Sequence, residues 1–134
     1  MGVIREYMCD RSSGTRHAIV IDPADQTPDI AANRALAAAN AGSRMILVGG
    51  SSGTDKDNVH ATIVAIKEAL ELVTWAASQD SEIDGDAEQI PVVLFPQGAA
   101  ALSPAADGIT FMMLMNSTTP KFLIEEQLAG APFI

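Results

Sequence analysis

The strongest constraint on the fold is an alternation of short apolar runs with longer helical stretches. The run HAIVIDP at 17–23 is rich in β-branched residues and ends at Asp-Pro, and RMILVGG at 44–50 repeats this pattern. Each is followed by a stretch with the length and apolar spacing of a helix, at 27–42 and at 57–77. Because continuous apolar runs are typical of strands covered on both faces, the pattern predicts a parallel α/β sheet.

The same alternation continues to the C-terminus and predicts one domain over residues 1–134. We expect a leading helix at about 3–11 and four parallel strands at about 17–22, 44–49, 91–95 and 108–115. Thr27 and Asp57 are the predicted caps of the two long helices, and the acidic stretch 78–89 is a predicted exposed loop. The third crossover, residues 97–106, has about the minimum length of a parallel connection and is too short for a regular helix.

Composition indicates an aliphatic core in a single domain. Of the 134 residues, 48% are hydrophobic and only 4% are aromatic, so aliphatic side chains must fill the core. No apolar stretch approaches the roughly 18 residues needed to span a bilayer, and charged residues stand near the N-terminus where a signal peptide needs an apolar region. We therefore expect a cytoplasmic protein with at most peripheral membrane contact.

The charge and the cysteine count argue against several functions. The formal net charge is −9 and the eight Lys and Arg residues are scattered, which argues against a nucleic-acid partner because phosphate backbones are bound by clustered basic side chains. An anionic ligand would therefore need help from a metal ion. The single cysteine, Cys9, excludes an internal disulfide and is expected to be a packing residue.

Polar residues follow the ends of the predicted strands. These residues are Asp22, Ser51, Ser52, Gln97, Asn116 and Ser117. Because ligands of parallel sheets collect at the carboxyl ends of the strands, we expect these side chains on one rim. Asp22, followed by Pro23, could hold Mg²⁺ together with substrate phosphate oxygens, or it could accept backbone N–H bonds in a turn.

The stretch GGSSG at 49–53 formally matches the G-x-S-x-G motif of hydrolases. That motif needs a histidine far downstream, yet His17 precedes the first strand and His60 lies in the helix directly after the motif. A phosphate cradle fits better, since glycines let backbone N–H groups approach an anion and a serine hydroxyl can ligate a metal. A simple connection between strand and helix stays the alternative.

Four stretches of the chain resemble motifs of the geranylgeranylglyceryl phosphate synthases and their bacterial heptaprenyl relatives. They are HAIVIDPADQTPD, MILVGGSSG, PVVLFPQG and ADGITFMMLMNSTTPKFLIEEQLAGAP, in the order of that family. The resemblance implies a (βα)₈ TIM barrel and a Mg²⁺-dependent prenyltransferase of archaeal ether-lipid biosynthesis. Such an enzyme joins geranylgeranyl diphosphate, or another polyprenyl diphosphate, to sn-glycerol 1-phosphate and releases pyrophosphate.

The resemblance also implies roles for individual residues. Asp22 and Ser51 stand where the family binds Mg²⁺, and Gly49, Gly50, Ser51 and Ser52 stand where it holds the diphosphate. The positions expected to line the prenyl groove are Phe95, Pro96, Gln97, Ala100, Ala101, Met113 and Asn116. The short third crossover agrees with the family, in which this region forms a flexible gate.

The sequence departs from the family motifs at three places in or near the expected prenyl groove. The family's LFPG is here LFPQG, which displaces the glycine to Gly98, and its FMSLLNS has Met113 in place of serine. Its GAQ is here Glu125, Glu126 and Gln127. The metal-binding positions are not affected, whereas the lining and length of the prenyl groove are left open.

The resemblance implies a longer chain than this one. A (βα)₈ barrel needs roughly 200 to 250 residues, whereas this sequence stops after four predicted strands. We therefore expect the N-terminal (βα)₄ half of a barrel, completed by a second chain that carries strands five to eight, the catalytic residues and the glycerol phosphate loops. The assembly could be a higher oligomer. The alternatives are a non-catalytic or regulatory half-barrel subunit, or half of another phosphate-binding TIM-barrel enzyme.

Overall fold

Strands and helices alternate along the chain in the computed structural model, which describes residues 3–12, 14–80, 89–110 and 112–133. The elements in chain order are α1 (Val3–Cys9), β1 (His17–Ile21), α2 (Pro28–Asn40), β2 (Ser43–Val48), α3 (Lys56–Asp80), β3 (Val92–Leu94), a 3₁₀ turn (Ala99–Ala101), β4 (Gly108–Ile109), a π-helical turn (Lys121–Glu125), α4 (Glu126–Gly130) and a final 3₁₀ turn (Ala131–Phe133). The four described strands form one parallel sheet in the order β1-β2-β3-β4. This confirms the predicted parallel α/β arrangement.

The core is built from the sheet and the helices that follow its strands. Ile46 and Val48 of β2 and Ile63 and Ile66 of α3 are all 0% exposed and belong to one apolar cluster. Burying a side chain of this size contributes about 1.5–3 kcal/mol. α2 packs against α3, and because the buried face of α2 consists of alanines, the two helices can approach closely.

The two long helices begin at side-chain caps, one of which differs from the prediction. Thr27 caps α2, as predicted, by accepting a backbone N–H from the first turn at 3.4 Å. The predicted cap Asp57 is wrong, because α3 already includes Lys56 and residue 57 lies inside its first turn. Asp55 Oδ1 accepts the N–H groups of Asp57 and Asn58, each at 2.9 Å, and Asn58 Oδ1 accepts the N–H of Asp55 at 3.0 Å. This reciprocal pair caps the helix.

The end of α3 also differs from the prediction. The helix runs to Asp80 and so includes the first residues of the predicted exposed loop at 78–89. Residues 81–88 of that predicted loop lie outside the described residues. Within the described ranges, no helix is both long enough and apolar enough to cross a membrane.

β1 is less covered than its sequence predicts. The continuous apolar run predicts a strand buried on both faces, yet Val20 is 53% exposed and Ile21 is the one buried residue of the strand. The reason is its position in the sheet. In the described part of the chain β1 pairs with β2 on one side and has no strand on the other, so it is an edge strand.

β3 and β4 are shorter than the predicted strands. β4 spans Gly108–Ile109 rather than 108–115. Thr110 N–H still donates to Leu94 O at 2.9 Å, after which the chain leaves the ladder. β4 is the second edge of the described sheet, so nothing on its far side holds the following residues in an extended conformation.

α1 lies at the end of the sheet where the strands begin. A Cβ on Gly108, the first residue of β4, would lie 3.2 Å from Ile4 Cγ1. Arg16 holds the helix in place, because its guanidinium lies 4.4 Å from the centre of the Tyr7 ring and donates to Tyr7 O at 2.6 Å. The helix ends at Cys9 rather than at 11, and Cys9 is exposed, so its predicted packing role is wrong.

The third crossover contains one 3₁₀ turn and no regular helix, as predicted. Leu102 is 1% exposed and belongs to the core, and Ser103 is also buried. The crossover is therefore anchored in the core, although it has no helix of its own.

Candidate functional site

Asp22 and Gly50 meet at the carboxyl ends of β1 and β2. Asp22 directly follows β1 and is half-buried, and Gly50 lies just beyond the end of β2. A Cβ on Gly50 would lie 2.0 Å from Asp22 Oδ2 and 2.3 Å from Oδ1, so the carboxylate lies directly against the glycine backbone. The fold therefore brings together two predicted site residues from neighbouring strands.

Gly49 is confined by the neighbouring strands. Its N–H donates to Ile21 O at 3.1 Å, and a Cβ at this position would lie 1.8 Å from Phe95 O. Neither Gly49 nor Gly50 has a positive φ. Gly49 must be glycine because the Phe95 backbone leaves no room for a side chain, whereas a Cβ at Gly50 would meet the movable Asp22 carboxylate.

The Asp22 carboxylate takes part in a turn through one of its oxygens. Oδ1 accepts the N–H of Ala24 at 2.9 Å, and the Asp22 carbonyl oxygen accepts Gln26 Nε2 at 2.8 Å. The turn role that the sequence left open is therefore present. Oδ2 accepts no hydrogen bond from the described residues.

The donor chemistry around Asp22 fits a magnesium ion that completes its coordination with substrate. In the described part of the chain, no three His, Cys, Asp or Glu side chains form a cluster that could hold a metal ion. Mg²⁺ commonly uses one or two carboxylates plus phosphate oxygens and water, so a lone carboxylate at the rim is compatible with it. A zinc site of nitrogen and sulfur ligands does not fit these residues.

The loop after β2 is open to solvent. Ser51 and Ser52 are exposed, and the N–H groups of residues 51–53 donate to no other described group. Gly53 has a φ of +71°, which favours glycine, and its carbonyl accepts Asn58 Nδ2 at 2.9 Å. Unbonded amides in such a loop are available to phosphate oxygens.

Thr54 joins this loop to the third crossover. Its carbonyl oxygen accepts Gln97 Nε2 at 3.3 Å. Its side chain is 6% exposed, and Oγ1 has no hydrogen-bond partner among the described residues. Thr54 was not predicted to be a site residue, although it directly follows the glycine-serine motif.

The predicted groove residues of the third crossover divide between surface and core. Phe95 is 49% exposed, Gln97 and Ala100 are exposed, and Pro96 is half-buried. Ala101 is 1% exposed and belongs to the apolar core, so it does not line an open surface of this chain. Ala101 instead anchors in the core the 3₁₀ turn that carries the exposed Ala100.

Met113 and Asn116 lie in the segment that follows β4. Met113 is 44% exposed, its neighbour Met115 is 86% exposed, and Asn116 is also exposed. Leu114 N–H donates to Phe122 O at 3.0 Å, which joins the segment to the π-helical turn. The segment thus presents apolar side chains beside the open edge of the sheet.

Glu126 was not predicted to be a site residue, yet it contacts the predicted groove segment. Its Oε2 accepts the N–H of Ala99 at 2.6 Å, and a Cβ on Gly98 would lie 2.5 Å from the same oxygen. Lys121 Nζ lies 3.6 Å from Oε1. The next residue, Gln127, donates its Nε2 to Met112 O. The departure from the family's GAQ motif was the only sequence signal for this contact.

Both histidines bond serine hydroxyls away from Asp22. His17 Nδ1 lies 2.8 Å from Ser43 Oγ at the start of β1, and His60 Nδ1 lies 2.8 Å from Ser103 Oγ. The second of these bonds joins α3 to the third crossover.

Two cavities lie at the opposite end of the sheet. One has a volume of about 510 Å³ and lies between α2, α3 and the chain leading into β3, with Leu36, Leu70 and Trp75 in its wall. The other, about 220 Å³, lies beside Ile4 and Tyr7 of α1. Neither of these two cavities is lined by a predicted site residue.

Parallel strands in chain order, helices after β1, β2 and β4 and polar loops at the strand carboxyl ends are typical of a TIM barrel, of which this chain holds four strands. A comparison of the sequence with models of protein families shows the particular family. The model described as the PcrB family matches residues 10–133, and the chain belongs to that family.

Similar curated proteins bear the name geranylgeranylglyceryl phosphate synthase. The protein of Methanothrix thermoacetophila is 37% identical over 123 residues, which are 92% of this chain and 41% of the relative. That of Methanococcoides burtonii is 35% identical over 133 residues, which are 98% of this chain and 47% of the relative. The family resemblance is therefore confirmed, and the chain spans less than half the length of these relatives.

Two solved structures share the fold. Wild-type GGGPS from Thermoplasma volcanium matches with a TM-score of 0.76 and 31% identity, over 99% of this chain and 46% of the other. The (S)-3-O-geranylgeranylglyceryl phosphate synthase of Thermoplasma acidophilum, solved with its substrate sn-glycerol-1-phosphate, matches with a TM-score of 0.76 and 29% identity, over 98% of this chain and 46% of the other. The predicted half-barrel fold is confirmed.

Proposed function

We propose that this chain is the metal- and diphosphate-binding half of a prenyltransferase that joins geranylgeranyl diphosphate to sn-glycerol 1-phosphate and releases pyrophosphate. One observation carries the proposal: the Asp22 carboxylate lies against Gly50, beside a loop whose amides have no described protein acceptor. The synthase names of relatives that are 35 to 37% identical support the reaction.

The diphosphate end of the substrate would bind at the loop after β2. Asp22 Oδ2 and the Ser51 hydroxyl would hold Mg²⁺, which supplies neutralising charge to the departing pyrophosphate. The N–H of Ala24 orients Asp22 through Oδ1 and leaves Oδ2 available. The amides of residues 51–53 would donate to phosphate oxygens, which they can do without losing a described protein partner.

The prenyl chain would lie across the third crossover. Phe95, Ala100 and Met113 offer exposed apolar surface, and Pro96, Gln97 and Asn116 would complete the groove. Ala101 would act from the core by supporting the turn that carries Ala100. The acidic charge of the chain and its scattered basic residues leave little affinity for nucleic acid, and we place the reaction in the cytoplasm with peripheral membrane contact at most.

The acceptor half of the site would come from barrel strands five to eight on a second chain. β1 and β4 each have a strand on one side in the described sheet, which leaves two edges able to pair. Val20 on β1 and Met115 beyond β4 expose apolar surface at these edges. The partner would position glycerol 1-phosphate and accept its hydroxyl proton.

The test is reconstitution with a complementing half. The chain is mixed with the C-terminal half of the Thermoplasma acidophilum synthase, and prenyl transfer from geranylgeranyl diphosphate to glycerol 1-phosphate is measured with Mg²⁺. We expect turnover by the mixture and none by either half. Turnover by this chain alone would contradict the split site, and a stable complex without turnover would favour a non-catalytic subunit.

A matched pair of variants assigns the metal site in the same assay. Asp22→Asn should reduce turnover to near background, because it removes the carboxylate charge at the rim. Asp25→Asn is the control, since Asp25 is an exposed carboxylate in the same turn. Equal activity of the two variants would contradict the assignment of Asp22.

A further inference from the structure

The third crossover is held by hydrogen bonds to three different parts of the fold. Gln97 Nε2 donates to Thr54 O at 3.3 Å, and Ala99 N–H donates to Glu126 Oε2 at 2.6 Å. Farther along, His60 Nδ1 lies 2.8 Å from Ser103 Oγ. These contacts, together with buried Leu102, describe a segment that is held in position. The flexible gate that the family resemblance implies would have to break these contacts in order to open.

Glu126 makes the one contact of these three that has a charged acceptor. Its side chain is 16% exposed, so water screens the bond to Ala99 only weakly. A hydrogen bond from an amide to a carboxylate is roughly twice as strong as one between neutral groups. The hydrogen bond from Ala99 to Glu126 is therefore expected to be the strongest of the three bonds that hold the crossover.

A side chain at Gly98 and the observed position of the Glu126 carboxylate exclude each other sterically. Gly98 has a φ of 178°, an extended conformation that any residue adopts, so its backbone does not demand glycine. A Cβ at this position would nevertheless lie 2.5 Å from Glu126 Oε2 and 2.8 Å from Cδ. The carboxylate thus occupies the space that a side chain at residue 98 would need.

We propose that Glu126 is a positioning residue that sets the shape of the prenyl groove by holding Ala99 and the 3₁₀ turn against α4. The inference rests on the proposed function, because it concerns the same groove. Ala100 is exposed on this turn, and Ala101 fixes the turn in the core. Movement of Ala99 would shift Ala100 relative to Phe95, and that would change how a polyprenyl chain is accommodated. The acceptor side of the site lies elsewhere and is unaffected.

The contact is tested first without any substrate. Amide hydrogen exchange of residues 99–101 is measured in the chain itself and in Glu126→Ala, Glu126→Gln and Glu125→Gln. Loss of a bond to a charged acceptor should speed exchange of the Ala99 amide roughly tenfold in Glu126→Ala. Glu126→Gln keeps an acceptor oxygen and should have an intermediate effect. Glu125 is exposed, so Glu125→Gln should match the parent chain.

The functional consequence is tested in the reconstituted assembly. Glu126→Ala should raise the KM for geranylgeranyl diphosphate about tenfold and broaden the range of prenyl lengths accepted, while the KM for glycerol 1-phosphate stays the same. Gly98→Ala should have the same effect in the parent chain and little effect in the Glu126→Ala background, because the clash is then gone. Glu126→Gln should partly restore the parent values.

The outcomes separate this inference from the proposed function. Faster exchange in Glu126→Ala with unchanged KM and prenyl preference would overturn the inference alone, since Glu126 would then have only a structural role. Equal losses for both substrates would also overturn it. Absence of prenyl transfer in the parent assembly would overturn the proposed function, and this inference with it.

Discussion

The Asp22 carboxylate and the Gly50 backbone are in direct contact, so that a Cβ at residue 50 would lie 2.0 Å from Oδ2. The obstructing atoms belong to the end of a flexible side chain. Gly50→Ala should therefore push the carboxylate aside and leave the strands in place. We expect a loss of stability of about 1 kcal/mol or less. Turnover of the reconstituted assembly should fall roughly 100-fold, as when a catalytic group is misplaced by about 1 Å.

Gly49→Ala should reduce the stability of the chain much more than Gly50→Ala does. Its Cβ would lie 1.8 Å from Phe95 O, which is backbone of the next strand and cannot move without disturbing the sheet. We expect a loss of about 3 kcal/mol or more, measured by urea unfolding followed by circular dichroism. If Gly50→Ala proves as destabilising as Gly49→Ala, the described geometry around Asp22 is wrong.

Ser51→Ala should weaken magnesium dependence without abolishing turnover. A hydroxyl is a neutral ligand that water can replace, whereas the Asp22 charge has no substitute at the same place. In the reconstituted assembly we expect the Mg²⁺ concentration for half-maximal rate to rise about tenfold, the equivalent of roughly 1.4 kcal/mol. Ser78→Ala serves as the control, since Ser78 is an exposed serine near the end of α3, away from the proposed site. An unchanged Mg²⁺ response in Ser51→Ala would remove residue 51 from the proposed site.

Asp55→Ala should destabilise the chain and Asp57→Ala should not. Asp55 Oδ1 accepts two backbone N–H bonds at the start of α3, while Asp57 contributes only its own N–H to this cap. Removing a cap of this kind costs about 1 kcal/mol. Urea unfolding of the two variants measures the difference. Equal midpoints would contradict the assignment of the cap to Asp55.

Val20→Lys should prevent association with the complementing half without unfolding the chain. Val20 is 53% exposed on the edge strand, so lysine is tolerated in the free chain but would have to be desolvated in a closed barrel. Ile30→Lys is the matched control, since Ile30 is 46% exposed on α2. Analytical ultracentrifugation of the mixtures gives the result. Association of Val20→Lys with parent-like affinity would place the interface elsewhere.

The sequence predicts the order of elements and the direction of the sheet because both depend on local patterns. Thr27 before Pro28 marks the start of α2, and the glycines after β2 mark its end. The exposure of Val20 could not be predicted in this way. It depends on which strands are present on either side of β1, and an apolar run looks the same at the edge of a sheet as at its centre.

The candidate site could be predicted in part. Asp22 was identified because strand ends of a parallel sheet meet at one rim, which needs only the element order, and Gly50 because it lies in the glycine-serine stretch after β2. The bond between Glu126 and Ala99 spans 27 positions of the chain and depends on how α4 packs against the third crossover. No local sequence pattern predicts a contact between residues so far apart in the chain. The burial of Ala101 likewise depends on packing that no local pattern predicts.

The mutual exclusion of a Gly98 side chain and the Glu126 carboxylate limits the order in which related chains can have diverged. A side chain at position 98 would displace the Glu126 carboxylate and cost the chain its hydrogen bond to Ala99, whereas a shorter residue at position 126 leaves room for that side chain. A lineage that keeps the bond between Glu126 and Ala99 is therefore expected to keep glycine at position 98. Ancestral reconstruction of chains that differ at both positions should find the change at 126 first.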